Sequence, residues 1–461
     1  MKKLFHKLAG DTLIFAIGNG ATLLISFFMV PIYTRILSTS AFGVSDLINT
    51  TVNMLLPVVS LNIFNAVFRW ALDIENNKNE VFSNGSVLTG IGFIISVISG
   101  TIIYFLGIQY WWTVGFYLGI ILTLNHFQNF ARGMNFVRLY AMSGVVISIV
   151  NVISNVILMI IYNFGLNGYL LSLGISNFCG VIFLFFSGKF WRFWDKNLVS
   201  KSIIKEMLAY SMPMIPNSFT WWMTNDISRL IILAFVGPSG NGLFAIANKI
   251  PSLLSTGFTL FQNAWQISAV ETSKYRSVSK IYSITFNITL NLLLLGSGVM
   301  LSIIKLFMHY YVSSSFFKAW EFVPILLLTA VFSNVSAFLG TTYLVAKKTK
   351  GLFTTTVWGT IINLGLSFAL IPVLGVHGAG ISGAVGFLVV SILRLKQTAK
   401  WINIRIKWGT TSLMMLGYAS LASIVYLNDN LIFVKVIILV LMIAVLSIYL
   451  KSVKNISNSI Y

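Results

Sequence analysis

Charged side chains are scarce in this 461-residue chain, so the few that fall inside apolar runs are where chemistry has to be sought. Asp226 and Arg229 stand three residues apart, Lys249 follows in the next run, and Arg35 and Asp46 flank a short polar turn. On a helix, residues three apart share a face, so Asp226 and Arg229 can neutralise each other. Alternatively Arg229 and Lys249 are free to hold an anion, because a guanidinium fork matches phosphate oxygens in pairs and an ammonium adds a point charge. Asp46 and Asp226 are then the carboxylates available for charge pairing or ion coupling. A charge at the centre of a membrane helix costs about 2.5–3.5 kcal/mol on insertion scales, so each of these groups needs a reason to be there.

Amides form a second set. Asn62, Asn65, Gln262, Asn263 and Gln266 lie in two runs, and Asn125, His126, Gln128 and Asn129 in a third that ends at Arg132. Amides donate and accept, which suits sugar hydroxyls and suits hydrogen bonds between helices equally well. Trp221 and Trp222 sit well inside an apolar run, whereas tryptophans ordinarily mark the membrane interfaces; each can stack on a sugar ring or pack in the core. Arg69 and Arg132, at the ends of runs, read as orientation signals or as an entry port for an anion.

Such side chains need elements that hold them in lipid. Apolar residues make up 57% of the chain and charged residues 9%, with a mean hydropathy of +0.87, too little polarity to cover a soluble surface. Apolar runs extend over 12–34, 42–69, 84–107, 112–131, 139–162, 167–188, 208–236, 241–267, 281–305, 320–345, 352–372, 376–398, 409–427 and 431–450. Each approaches the length of about 20 residues that crosses a bilayer, so the expected fold is all-α and polytopic with about fourteen transmembrane helices.

The net charge of +20 would point to nucleic acid in a soluble protein, but its distribution decides otherwise. With the N-terminus inside, inner segments carry 25 of the 31 Lys and Arg residues, while outer segments carry only Arg35, Lys305, Lys318 and Lys435. That is the positive-inside pattern, which places both termini in the cytoplasm and leaves no nucleic-acid partner to expect. Lys2, Lys3 and Lys7 precede a run too long for a signal peptide, which reads as a first span. Cys179 is the single cysteine, so neither an internal disulfide nor a multi-cysteine metal site is expected, and no cofactor.

The chain also compares with itself. Ser40, Gly43, Asn49 and Leu55 match Ser239, Gly242, Asn248 and Leu254, and Gly165, Gly168 and Ser172 match Gly375, Gly378 and Ser382. Both matches fall at equivalent span boundaries, which predicts a six-span duplication: one lobe over 1–200, a second over 201–400, and an additional helix pair over 401–461. Six is even, so the copies are parallel repeats, with a substrate route expected between them. Pro31, Pro57, Pro213, Pro216 and Pro251 fall in spans one, two, seven and eight, and kinks in these helices are expected to border that route.

Those residues carry a family likeness. Pro31, Ile32, Tyr33, Thr34, Arg35, Ile36, Leu37 and Ser38, with Phe42 and Gly43, resemble the signature near the first helix of bacterial polysaccharide flippases. Pro213 and Pro216 through Trp221, Trp222, Asp226, Arg229 and Gly242 to Ala247, Lys249, Ile250 and Pro251 are similar to the start of that family's second half. Pro372, Gly375, Gly378 and Ala379 look like its twelfth-helix entry. The resemblance is to the multidrug, oligosaccharidyl-lipid and polysaccharide exporter superfamily, and within it to O-antigen repeat-unit exporters. It implies two six-helix lobes around a central cavity and alternating access in the bacterial inner membrane. The implied substrate is undecaprenyl-diphosphate-linked oligosaccharide, with membrane lipids, a glycan polymerase and a chain-length regulator as partners. Lipid II flippases, in which an acidic residue stands early in span two like Asp46, and multidrug exporters share the fold. The competing class is a polytopic O-acyltransferase using His126, and a pocket centred on that histidine would favour it.

Overall fold

A computed structural model describes residues 25–73, 75–107, 109–272, 278–346, 348–427 and 431–458. The first half of span one and the cations Lys2, Lys3, Lys7, Lys274, Arg276 and Lys347 lie outside the described residues, as do the side chains of Trp221, Lys350 and Lys454. Among the described residues all regular structure is helical. The helices are α1 (Ile25–Ile36), α2 (Thr39–Val59), α3 (Ile63–Leu72), α4 (Lys78–Phe105), α5 (Trp111–Gly133), α6 (Val137–Asn155, continued by a π-helical turn Val156–Ile161) and α7 (Gly165–Ser187). They continue as α8 (Lys201–Ser211), α9 (Ile215–Phe235), α10 (Pro238–Ala247), α11 (Lys249–Thr272), α12 (Val278–Tyr311), α13 (Val323–Val345), α14 (Thr349–Leu374), α15 (Val376–Thr398), α16 (Trp408–Leu427) and α17 (Ile432–Asn458).

Among the described residues ten helices are both long and apolar enough to cross a membrane. Span one, described only from Ile25, and α5, α9 and α11 fall outside that set. The last three have the length, but Asn125, His126, Gln128 and Asn129 in α5, Asp226 and Arg229 in α9, and Gln262, Asn263 and Gln266 in α11 dilute their hydropathy. Helices of that composition need protein or water against their polar groups.

The expected breaks occur, though not always at the prolines. Span two continues past Pro57 and breaks at Leu61 and Asn62, which are left-handed with φ of 50° and 53°. A left-handed non-glycine residue costs roughly 1–2 kcal/mol. The Asn62 N–H offsets it by donating to Pro57 O at 3.2 Å and Ser60 Oγ at 3.0 Å. Span seven divides at the 3-10 turn Met212–Met214, which contains Pro213. In span eight the break is at Asn248, and Pro251 instead occupies the first turn of α11, where a missing N–H costs nothing. Pro31 lies within α1.

The chain forms two compact units, Met1–Asp226 and Ile227–Tyr461, so the division falls inside α9. Unit 1 packs α4 on α5 through small residues: Gly92, Ser96 and Gly100 on α4 are buried and spaced by four, Gly115 of α5 lies against Ser96 and Gly100, Gly119 of α5 lies against the Phe93 ring, and Gly92 abuts Val59 O of α2. Small residues at such spacing let helix backbones touch. In unit 2, α15 lies between two neighbours, Gly378 and Gly386 abutting α14 and Gly380 and Gly383 abutting Ile325 and Thr329 of α13. Arg394, buried in α15, donates to Thr355 and Thr356 of α14 and to Ser336 of α13. Helices α16 and α17 belong to unit 2, where both pack on α12.

The matched sequence segments have matching local structure. Gly165 and Gly375 are both left-handed, with φ of 52° and 57°, and Gly168 and Gly378 both press on the backbone of the preceding helix, at Leu158 and Leu370. Asn49 and Asn248 each donate to the carbonyl one turn back. A third equivalence was not visible in the sequence. The buried amide of Asn84 in α4 donates to Leu198 O and accepts from the Ser200 N–H, both at 2.9 Å. In α12, Asn287 donates to Arg405 O at 2.9 Å and accepts from the Lys407 N–H at 2.8 Å. Each third span thus clamps the linker that leaves its unit's sixth. Breaking a clamp strands buried polar groups, at about 1–3 kcal/mol. Asn84→Ala and Asn287→Ala are therefore expected to lower the melting temperature of the purified protein, while Asn403→Ala, whose side chain is exposed, does not; unchanged melting in both clamp variants would show that the linkers are held otherwise.

Candidate functional site

Unit 1 gathers polar groups from five helices near one carboxylate, Asp46. Tyr33 of α1 donates to Asn151 Oδ1 of α6 at 3.3 Å, and Asn151 donates to Ser176 Oγ of α7 at 3.4 Å. Asn155 donates to Asn151 Oδ1 at 3.1 Å. Tyr169 of α7 lies beside Asn49 of α2, and Tyr117 of α5 beside Asn177 of α7. The Tyr33 and Tyr169 rings meet edge-on at 4.9 Å. Asp46 of α2 is half-buried and lies within electrostatic reach of Tyr169. Sequence reading singled out Asp46 but not Asn151, Asn155 or Tyr169, because no spacing links residues on separate helices.

The start of α9 packs on α2 and the break after it. Trp222 is buried, its indole N–H donating to Thr50 O at 3.2 Å and its ring 5.7 Å from Phe219. One turn earlier, Ser218 accepts from the buried amide of Asn62 at 3.3 Å. Asn62 and Trp222 therefore fix the break of span two against α9. Arg35, in the last turn of α1, and Arg69, in the last turn of α3, are exposed. Arg132, also exposed, lies over the Phe68 and Tyr140 rings at 4.9 and 5.6 Å.

In unit 2, Arg229 is half-buried on α9, one turn after Asp226. Its neighbour Ser228 lies 3.5 Å from Ser367 of α14, which donates to Asn363 Oδ1 at 3.3 Å. Lys249 is half-buried and heads α11, rather than lying two turns into a continuous helix. Asp46, Asp226, Arg229 and Lys249 each make polar or electrostatic contacts. On α11, Asn263 is exposed, and Gln262 donates to Ala337 O of α13 at 2.9 Å. Among the described residues no cluster of His, Cys, Asp and Glu is arranged to hold a metal.

A cavity of about 520 Å³ does border His126, as the acyltransferase reading required. It is lined mainly by aromatic and apolar side chains, including Phe82, Phe93, Phe127, Trp191 and Trp194. His126 Nε2 lies 2.9 Å from Ser86 Oγ. Its Nδ1 is buried without a hydrogen-bond partner, whereas a histidine acting as base on a serine is oriented by an acceptor at that second nitrogen. The pair is accordingly a packed hydrogen bond rather than an assembled acyl-transfer centre.

This arrangement of helices is found in solved transporters. An inward-facing multidrug resistance MATE family transporter of the MOP superfamily matches with a TM-score of 0.62 at 15% identity, over 83% of this chain and 94% of that one. An outward-facing structure of such a transporter matches with a TM-score of 0.59 at 13% identity, over 85% and 94%. A mutant of the Vibrio cholerae MATE transporter VcmN gives 0.59 at 13% identity, over 87% and 97%. No curated protein sequence matches the chain. The fold is thus one shared with these solved membrane transporters. Residues 8–266, more than half of the chain, match the model of the polysaccharide biosynthesis protein family. The chain belongs to that family.

Proposed function

We propose that this protein moves an undecaprenyl-diphosphate-linked oligosaccharide, an O-antigen or similar repeat unit, from the cytoplasmic to the periplasmic leaflet by alternating access. The observation that carries this reading is the family match across residues 8–266, in a chain with the fold of a membrane exporter. The charges agree with it. Arg229 and Lys249 are half-buried cations in spans of low hydropathy, and Lys249 heads a helix, where the peptide dipole also favours an anion. The exposed Asn263 offers an amide to sugar hydroxyls, and Arg35 and Arg69 offer further cations at the helix ends. In this reading both termini lie in the cytoplasm of a bacterial cell with an inner membrane, where a glycan polymerase and a chain-length regulator would receive the product.

Movement of a dianionic headgroup outward is favoured by the membrane potential, by about 2.3 kcal/mol per charge per 100 mV. Ion coupling, in this scheme, acts through Asp46 within its ring of hydroxyls and amides, or through Asp226. Arg229→Ala and Lys249→Ala are each expected to cut export at least tenfold at near-normal abundance, the loss of roughly 1.5–3 kcal/mol of charged hydrogen bonding to phosphate. The measurement is uptake of lipid-linked oligosaccharide into inverted vesicles with potential and ion gradients imposed separately. Unimpaired transport by both variants would remove the phosphate role from these residues; ion coupling that survives Asp46→Asn combined with Asp226→Asn would remove the coupling role from the carboxylates.

A further inference from the structure

The inner end of unit 2 contains a cavity of about 480 Å³ bounded by α12, the clamped linker 403–407 and α17. Three exposed cations line it, Lys280 from α12 and Arg405 and Lys407 from the linker. Tyr449 adds a hydroxyl, whereas those of Ser283 and Ser452 donate to Ser279 O and Tyr449 O, and none of the described residues lining it is a carboxylate. The linker is fixed rather than loose: besides the Asn287 clamp, the Asn403 and Arg405 N–H groups donate to Ser279 Oγ at 3.1 Å and Ser283 Oγ at 2.9 Å.

Unit 1 supplies an internal comparison. The equivalent clamp there holds the backbone of Leu198 and Ser200, neither of them basic. In unit 2 the clamp likewise uses only the backbone of Arg405 and Lys407. The same anchoring is achieved without the two cationic side chains, so holding the linker is not what they are for. Orientation in the membrane does not require them at this spot either, because the positive-inside effect is satisfied by cations anywhere along the inner loops. Three cations around one recess suit the oxygens of a phosphate. The recess also has apolar walls, Ile284 and Val453 among them, and the residue after Lys407 is the exposed Trp408, an aromatic of the kind that sits at headgroup depth.

We propose that this recess binds the phosphate headgroup of an anionic phospholipid in the cytoplasmic leaflet, with Lys280, Arg405 and Lys407 on the phosphate and the apolar walls beside the acyl chains. The occupant is a lipid of the membrane and not the transported substrate. The test uses the full chain purified in zwitterionic nanodiscs, titrated with phosphatidylglycerol or with inorganic phosphate. One variant combines Lys280→Ala, Arg405→Ala and Lys407→Ala. The control removes three exposed cations from the unit 1 linker with Lys189→Ala, Arg192→Ala and Lys196→Ala. Each cation near an anionic lipid contributes about fivefold in affinity, so the pocket variant should bind phosphatidylglycerol roughly a hundredfold more weakly, with the control little changed. Should the triple variant not purify, Arg405→Ala alone is expected to show about a fivefold loss. Equal losses in pocket and control variants would reduce the effect to net charge and overturn the proposal. Unchanged binding in the pocket variants would overturn it as well, as would inorganic phosphate competing at the same concentration as the lipid.

Discussion

Gly115→Leu is expected to leave almost no folded protein in the membrane. A side chain begun at Gly115 would meet Ser96 O at 2.5 Å and Gly100 Cα at 3.0 Å, and a Cβ on Gly100 would meet Trp111 O at 2.7 Å. These are backbone atoms on both sides, so no rotamer change relieves the overlap, and α4 and α5 would have to separate along their whole seam. Overpacking that flexible side chains can absorb costs about 1–3 kcal/mol. Separation of two backbones forfeits the seam's packing as well, which exceeds the margin of a marginally stable protein. Gly174→Leu is the matched comparison, since nothing lies within 4 Å of a Cβ there. Gly174→Leu should be at least as abundant as the parent, given that leucine is the better helix former by several tenths of a kcal/mol. Abundance of both variants, measured by detergent-resistant chromatography of a tagged chain, checks this; equal yields would show that the α4–α5 seam can open without loss.

Arg394→Ala is the second large effect expected. The guanidinium is 6% exposed and spends its donors on two neighbouring helices: Nε on Thr355 Oγ1 at 3.2 Å, Nη1 on Ser336 O at 2.6 Å and Oγ at 3.1 Å, and Nη2 on Thr356 Oγ1 at 3.0 Å. Hydrogen bonds to charged groups contribute about 1.5–3 kcal/mol each, partly offset by the cost of burying the charge. With the cavity left by truncation, a net loss of about 3–5 kcal/mol is expected. Arg394→Lys keeps the charge but cannot reproduce the fork, so it should recover only part of the stability. The measurement is thermal unfolding of the purified variants followed by intrinsic fluorescence. Melting of Arg394→Ala within a degree of the parent would mean that α13, α14 and α15 are held by apolar contact alone.

Arg394 also shows where sequence reading ended. As a cation near the inner end of an apolar run it fitted the positive-inside pattern, and nothing in one dimension distinguishes an arginine facing water from one turned toward two neighbouring helices. Asn84 and Asn287 were silent for the same reason: a lone asparagine in an apolar span acquires meaning only when a linker more than a hundred residues away is laid beside it. The spans themselves were legible, because a stretch of about 20 apolar residues has few uses other than crossing lipid. The break in span two was legible only in part. Pro57 signalled a disturbance, but the left-handed residues are Leu61 and Asn62, and leucine gives no warning of that conformation. Of the candidate site, the charged residues could be picked out singly. Their partners, such as Tyr169 and Asn49 near Asp46, come from helices whose adjacency only packing decides.

The paired asparagine clamps bear on how such a chain is made. Asn84 enters the bilayer early, yet its partners at Leu198 and Ser200 do not exist until the sixth span has been synthesised. The first clamp can therefore close only when the first half of the polypeptide is complete, and it closes using groups that all belong to that half. Asn287 and the 405–407 segment repeat the event for the second half. During synthesis, where domains form as units in chain order, each clamp acts as a latch that shuts behind a finished set of helices before the next set must find its own partners. A ribosome-stalled chain ending near residue 240 should already protect the Asn84 linker from protease, which would make the first half a unit of assembly.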